Sequence, residues 1–151
     1  MKSLLAVFVL AAVLTGCSTT SGTFSDVTGK EWRLIEVRIE SEFRREVLFD
    51  RKMLANQNAR NVFNLKFDAT SLAGEAAPNR YNAPYTLGEG NAITIMPMRS
   101  TQMAAVWQPE RLREHDYFQY MQNVYRWELR DGRLTLFSKN AEDQEIRLLF
   151  N

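Results

Sequence analysis

The chain has 151 residues, of which 45% are hydrophobic and 11% aromatic, and it carries 19 basic and 18 acidic side chains with a single histidine. This balance gives no strong positive field, so composition argues against a protein that tracks nucleic-acid phosphates. Because there is only one cysteine, no internal disulfide can form, and the fold must be stabilised by buried apolar surface.

The amino-terminal residues have the pattern of a signal peptide. Lys2 precedes a mostly apolar segment over residues 4–14, which has the length of a signal h-region and is too short to cross about 30 Å of hydrocarbon as a helix. The motif Leu14-Thr15-Gly16-Cys17 that follows resembles the cleavage site of bacterial lipoprotein precursors. The resemblance implies that residues 1–16 are removed and that Cys17 is lipidated, which would hold the chain stably at a membrane. The alternative is an ordinary secretory signal in which Cys17 is incidental.

The residues after Cys17 predict where the mature chain is held. Ser18, rather than aspartate, follows the cysteine, and this resembles the outer-membrane sorting pattern of some diderm bacteria. We therefore expect a cell-envelope lipoprotein on the exported side of a membrane, with the outer membrane favoured over the inner. The small polar residues 18–25 predict a flexible tether. The sequence then divides into a signal peptide at 1–16, a lipidated tether at 17–26 and one domain at 27–151.

Alternation with period two dominates the domain. Trp32 and Leu34 alternate with polar residues, and the phase then slips towards Val37, which predicts a strand with a bulge. Residues 88–91 and the Asp131-Gly132 dipeptide predict hairpin turns, whereas residues 68–74 read as a turn region. The expected fold class is α+β, with a curved, mostly antiparallel and partly open barrel-like sheet of about seven strands. Further strands are predicted around residues 63–67, 85–87, 93–95, 127–129, 134–136 and 146–150.

One segment favours a helix. Pro109 could occupy the first turn of a helix over residues 109–124, which we expect to cover the concave face of the sheet. Its apolar stripe consists of Leu112, Phe118, Met121 and Val124. Residues 50–61 are compatible with a loop or with a short helical turn around Met53, and the sequence leaves both open.

Several short motifs occur in order along the chain: Gly29-Lys30-Glu31-Trp32-Arg33-Leu34, Asn79-Arg80-Tyr81 with Tyr85, Ile93 and Ile95, Ser100-Thr101-Gln102-Met103-Ala104, and Leu134-Thr135-Leu136. Together these motifs resemble the META domain, the HslJ-like family of bacterial envelope proteins. The resemblance covers nearly the whole mature chain and implies a compact domain with a curved antiparallel sheet and a packed helix, often displayed as a lipoprotein, with no known reaction. Many members have cysteines where this chain has Pro78 and Ala105. If those cysteines pair, the resemblance implies that these two positions are close in space, and thiol catalysis at them is excluded here.

The Asn79-Arg80-Tyr81 motif has two interpretations. In the functional one, it forms a recognition patch beside Ser100, Thr101 and Met103. In the structural one, which we favour, Asn79 supports a tight turn, Arg80 pairs with a carboxylate, and Tyr81 buries its ring while its hydroxyl finds a partner.

No residue set nominates a catalytic centre. His115 is the single histidine, and together with the cysteine count this makes a zinc site improbable, so we expect no enzyme, metal or cofactor. We expect a membrane-anchored interaction or envelope-stress module that presents residues 50–61 and 98–108 to another envelope protein. The alternative is a binder of an apolar or lipid ligand in a cavity between sheet and helix, since methionines adapt to varied guests. The expected lining residues are Trp32, Phe67, Met96, Met98, Met103, Trp107 and Phe118.

Overall fold

The computed structural model describes residues 21–54, 62–105 and 107–151. The signal segment, Cys17, Ser18 and most of the loop at 50–61 lie outside these ranges. Within them, ten strands and one α-helix are present. They are β1 (Glu31–Glu40), β2 (Arg45–Asp50), β3 (Asn64–Phe67), β4 (Ser71–Glu75), β5 (Arg80–Leu87), β6 (Ile93–Ile95), β7 (Arg99–Ser100), α1 (Glu114–Gln122), β8 (Arg126–Arg130), β9 (Arg133–Lys139) and β10 (Glu145–Phe150).

The strands form an antiparallel sheet. Its order is β6-β5-β4-β3-β1-β10-β9-β8, with β2 paired to β1 and β7 paired to β5. The ladder is not closed, but two backbone hydrogen bonds connect its ends, from Ile93 N–H to the Tyr125 carbonyl at 3.1 Å and from Trp127 N–H to the Asn91 carbonyl at 3.0 Å. The expectation of a sheet-dominated α+β fold with mostly antiparallel strands is confirmed.

The bulge predicted in β1 is present. The register with β10 shifts between Leu34 and Glu36, and the extra residue returns Val37 to the core side, where it is buried like Leu34. The Asp131-Gly132 hairpin is also confirmed. Both residues have left-handed φ values, 49° and 72°, which two-residue hairpins require and which asparagine, aspartate and glycine tolerate best.

Three strands were not predicted: β2, β4 and the two-residue β7. β4 occupies residues that the sequence assigned to a turn region, because its pairing with β3 and β5 fixes an extended conformation that its own small residues do not favour. β2 pairs along β1 after a turn at Ser41 and Arg44, where each residue hydrogen-bonds to the other. A short 3₁₀ turn, Arg51–Met53, is present where the sequence left the choice between a loop and a helical turn open.

The helix begins later than predicted, at Glu114 and not at Pro109. The preceding segment instead contacts β2, since Arg111 donates to the Val47 carbonyl at 2.9 Å and pairs with Glu46. Asp116 accepts a hydrogen bond from Arg113 N–H at 3.1 Å and so caps the helix start. Tyr117, which was not in the predicted stripe, is buried together with Met121. Leu112 and Val124 are buried but flank the helix.

Residues at the start of the described chain contact the domain, although the sequence assigned them to the tether. Gly22 N–H donates to the Leu129 carbonyl at 3.0 Å. The Phe24 ring lies 5.3 Å from Phe67 and 5.0 Å from Trp127, measured between centroids. The Phe24 ring also lies 5.5 Å from Tyr85, so the folded part begins before Val27.

The hydrophobic core lies on one side of the sheet. Its alternating positions include Trp32, Leu65, Leu72 and Leu136, and Tyr117 of α1 joins the same cluster. No helix in the described part of the chain is long and apolar enough to cross a membrane.

Candidate functional site

Asn79 organises the region around the predicted motif. It is only 4% exposed, and its side chain uses its full hydrogen-bonding capacity. The amide nitrogen donates to Glu114 Oε2 at 2.7 Å and to the Met103 carbonyl at 3.2 Å. The amide oxygen accepts from Thr101 Oγ1 at 2.8 Å and from Met103 N–H at 2.7 Å. One side chain therefore connects the start of β5, the segment after β7 and the start of α1.

Glu114 completes this arrangement from the helix side. Its Oε1 accepts the backbone N–H of Asn79 at 2.7 Å, and its own N–H donates to Gln108 Oε1 at 3.1 Å. The carboxylate lies in the first turn of α1, where the helix dipole favours negative charge. No local sequence pattern identifies the partner of Glu114, because Asn79 lies 35 residues earlier in the chain.

Arg80, Ser100 and Thr101 are adjacent at the surface. Ser100 lies opposite Tyr81 in the β5–β7 pairing. Thr101 N–H donates to the Arg80 carbonyl at 3.0 Å, and Arg80 N–H donates to Thr101 Oγ1 at 3.2 Å. The Arg80 side chain is 79% exposed and lies 3.3 Å from Glu75. These residues and Arg99 line a shallow depression of about 430 Å³.

Tyr81 faces the core. Its hydroxyl donates to the Asn64 carbonyl at 2.8 Å and lies 2.7 Å from the Tyr117 hydroxyl. Because the Tyr81 hydroxyl has one proton and donates it to the Asn64 carbonyl, the Tyr117 hydroxyl is the donor in the hydrogen bond between the two hydroxyls. Burial raises the pKa of Tyr81 well above its ordinary value, and burial likewise raises the pKa of Tyr117. Both phenols are therefore neutral at physiological pH and act as packing and hydrogen-bonding groups.

The six predicted motif residues thus lie in one region but have different surroundings. Asn79 and Tyr81 are buried, whereas Arg80, Ser100, Thr101 and Met103 are exposed. The ion pair of Arg80 with Glu75 and the buried, hydrogen-bonded ring of Tyr81 agree with the structural interpretation. The Asn79 side chain instead bonds to segments far along the chain, and recognition by the exposed members stays a prediction. The implied proximity of residues 78 and 105 agrees with the bonds between Asn79 and Met103.

The segment after β7 is held in place and yet exposes apolar side chains. Met103 is 56% exposed and Trp107 is 37% exposed. Asn79 fixes the backbone of Met103 through both its N–H and its carbonyl. We name residues 101–105 and 107, with these two side chains, the apolar display segment.

The residues expected to line an apolar cavity differ in exposure. Trp32 and Phe67 are buried in the core, Met98 and Phe118 are half-buried, and Met96 is 42% exposed, like the solvent-facing Met103 and Trp107. None of the seven lines any of four surface depressions among the described residues. Two of these depressions are bordered mainly by charged side chains. The ligand-binding alternative stays a prediction.

Among residues 21–54, 62–105 and 107–151, no three histidine, cysteine, aspartate or glutamate side chains form a group that could hold a metal ion. His115 is exposed on α1. The expectation that the protein is not an enzyme stays a prediction.

The fold defines a sheet-dominated α+β domain, and its similarities to known proteins agree with this. The family model of the META domain matches residues 25–149. The chain therefore belongs to the META domain family.

Two solved structures are similar in fold. A protein from Burkholderia xenovorans, solved by NMR, has a TM-score of 0.58 at 12% identity, with 100% of this chain and 99% of that chain covered. A DUF4847 family protein from Bacteroides vulgatus has a TM-score of 0.54 at 12% identity, with 84% and 96% covered. At this identity the likeness concerns the fold alone. No curated protein matches the chain significantly.

Proposed function

We propose that the protein is a lipid-anchored module of the bacterial cell envelope that binds another envelope protein through the apolar display segment and catalyses no reaction. The observation that carries the proposal is the fixed backbone of an exposed apolar loop. Asn79 binds Met103 at both its N–H and its carbonyl, while the Met103 side chain points away to solvent with 56% of its surface exposed.

A fixed loop favours binding for a physical reason. Ordering a flexible loop on association costs free energy, and a segment that is already ordered avoids much of that cost. Methionine and tryptophan are also enriched in the cores of protein interfaces, where they bury large apolar areas. The display segment therefore combines a composition that favours protein binding with a backbone that loses little further conformational freedom on association.

The proposed cellular location of the module rests on the amino-terminal sequence. Leu14-Thr15-Gly16-Cys17 has the residue types of a lipoprotein processing site, and the thiol of Cys17 is the group that would carry the lipid. Membership of the META domain family supports an envelope role by resemblance. We place the module on the exported side of a membrane, with the outer membrane favoured by Ser18.

We also infer that the sheet curls into a partly open barrel with α1 packed as an amphipathic helix against it. The hydrogen bonds between the ends of the strand order support the curvature. The contacts of Tyr117 with Phe63, at 4.8 Å between ring centroids, and with Tyr81, at 5.7 Å, support the helix packing.

Photocrosslinking in intact cells tests the function. A benzophenone amino acid replaces Met103 or Trp107, one at a time, in the full chain, and Thr86, an exposed residue of β5, serves as the matched control position. We expect one and the same heavier adduct from positions 103 and 107 and none from position 86. The adduct should weaken when Asn79→Ala releases the segment. Recovery of uncrosslinked protein alone from positions 103 and 107 would contradict the proposal.

A further inference from the structure

The β8–β9 hairpin lies where the chain enters the domain. Ser21 forms an antiparallel bridge with Arg130, and Gly22 N–H donates to the Leu129 carbonyl. Because the bridge is antiparallel, the segment that starts at Ser21 runs away from the Asp131-Gly132 turn, and Ser21 is its residue closest to that turn. Ser21 is the fourth residue after Cys17, and four residue steps of chain span at most about 14 Å. A lipid on Cys17 would therefore bring the hairpin turn close to the membrane surface.

Two arginines face each other at this turn. Arg130 and Arg133 are directly opposite in the β8–β9 register, an arrangement in which like charges destabilise a sheet. Arg130 pairs with Glu128, which Arg126 also approaches at 3.5 Å. Within the described ranges, no carboxylate lies at ion-pair distance from the Arg133 guanidinium. Of the two opposed arginines, Arg130 thus has the Glu128 carboxylate as its ion-pair partner, whereas Arg133 has none among the described residues.

The surface behind the turn is also basic. A groove of about 540 Å³ extends from Arg130 and Arg133 to Arg38 and Arg147. A neighbouring depression of about 510 Å³ shares Arg38 and Arg133 and adds Lys52 and two further arginines. Together the two are lined by seven basic and four acidic side chains, a surplus of three positive charges, whereas the whole chain has a formal charge of +1.

The surplus is concentrated near the turn. Glu40 contacts both Arg38 and Arg147, and Glu145 lies 2.7 Å from Arg147, so these two arginines are largely neutralised by their own neighbours. Arg133 has no such neighbour among the residues that the structure describes. The strongest attraction for an anion is therefore at the hairpin end, beside the point of chain entry.

We propose that Arg130 and Arg133 bind the phosphate groups of anionic phospholipids in the membrane that holds the anchor, an inference that rests on the proposed lipidation. Guanidinium groups bind phosphate through paired N–H donors, and an anion between the two arginines would remove their mutual repulsion. Basic residues near an anionic membrane surface gain from its negative potential. Binding would orient the domain, with the hairpin turned towards the headgroups.

Vesicle flotation tests the inference without the lipid. The full chain with Cys17→Ser is mixed with vesicles of phosphatidylcholine alone or of equal parts phosphatidylcholine and phosphatidylglycerol, and the ratio of the two partition coefficients is measured. Any apolar insertion contributes equally to both vesicle types, so the ratio reports the electrostatic part. We expect a ratio well above one that falls as salt is added.

Matched double variants locate the effect. In the Cys17→Ser chain, Arg130→Gln with Arg133→Gln should lower the ratio about 30-fold, or to one, since each basic residue near the surface contributes about fivefold. Arg44→Gln with Lys66→Gln removes the same charge from exposed positions outside the groove and should leave most of the ratio. The melting temperature of the hairpin variant should not fall, because a like-charge pair is lost.

The inference is wrong if the protein partitions equally into both vesicle types, or if the two double variants lower the ratio equally. If the Arg130→Gln, Arg133→Gln double variant does not fold, the single variant Arg133→Gln decides, and an unchanged ratio in it would overturn the inference. Failure of the proposed lipidation is distinguishable, because it is read from the mass of the wild-type amino-terminal peptide. A lipidated Cys17 with no preference for phosphatidylglycerol would refute the headgroup site alone.

Discussion

Replacing Asn79 by alanine should destabilise the domain strongly. The substitution removes four side-chain hydrogen bonds, with Glu114 Oε2, the Met103 carbonyl, Met103 N–H and Thr101 Oγ1. A neutral hydrogen bond contributes about 0.5–1.5 kcal/mol net, and one to a charged group about 1.5–3 kcal/mol. Partial access of water to the released groups lowers the sum, so we expect a loss of about 3–5 kcal/mol in the free energy of unfolding.

Urea unfolding followed by tryptophan fluorescence measures this loss. Asn82→Ala is the matched control, because Asn82 is an exposed asparagine of β5, three residues after Asn79, and it should change the free energy by less than about 0.5 kcal/mol. For a domain of this size, the Asn79 variant should melt about 10–20 °C lower. Hydrogen exchange should also accelerate selectively in residues 101–105, since their backbone loses its attachment.

A small effect would refute the reasoning. If Asn79→Ala and Asn82→Ala differ by less than about 1 kcal/mol, the hydrogen-bond network does not stabilise the domain. If stability falls but exchange in residues 101–105 is unchanged, Asn79 does not hold the display segment, and the main support for the proposed function is lost.

Three further predictions concern the core and the display segment. Gly74→Ala should cost at least about 2 kcal/mol, because the new Cβ would lie 2.1 Å from the Asn64 carbonyl oxygen; Gly88→Ala, whose Cβ meets only the Ala92 Cβ at 3.1 Å, is the control in the same melting assay. Because the folded state raises the pKa of Tyr117, the stabilisation from its protonated hydroxyl is complete below the unfolded pKa near 10 and is lost as the pH rises towards the folded pKa. Tyr117→Phe should therefore reduce the fall of the unfolding free energy above pH 10 by about 1.4 kcal/mol per pH unit. The same fall in both proteins would contradict this. Met121→Ala should lower the free energy of unfolding by about 2–5 kcal/mol because the side chain is fully buried, whereas Met103→Ala should lower it by less than about 1 kcal/mol. Equal losses for the two variants in urea titrations would contradict the exposure of the display segment.

Local signals explain what the sequence predicts well. The Asp131-Gly132 dipeptide specifies left-handed backbone at two successive positions, and the structure has it. The bulge after Leu34 could be predicted because the alternation of apolar and polar residues changes phase within that one strand. Both features depend on residues within a few positions of each other, so a single sequence contains them.

Non-local pairing explains what the sequence does not predict. β4 has a weak strand composition and is extended because β3 and β5 flank it. The helix begins at Glu114 because Arg111 contacts β2, about 65 residues earlier in the chain. The motif grouping anticipated that Asn79 lies near Thr101 and Met103, but the role of Glu114 depends on a contact for which the sequence offers no local signal.

The amino-terminal peptide of the mature protein tests the central claim most directly. Protein extracted from membranes with detergent is digested, and the mass of its first peptide is determined. The account predicts a peptide that begins at Cys17 and carries the added mass of a thioether-linked diacylglycerol. A peptide that begins elsewhere, or one that begins at Cys17 with an unmodified thiol, would contradict the anchored module.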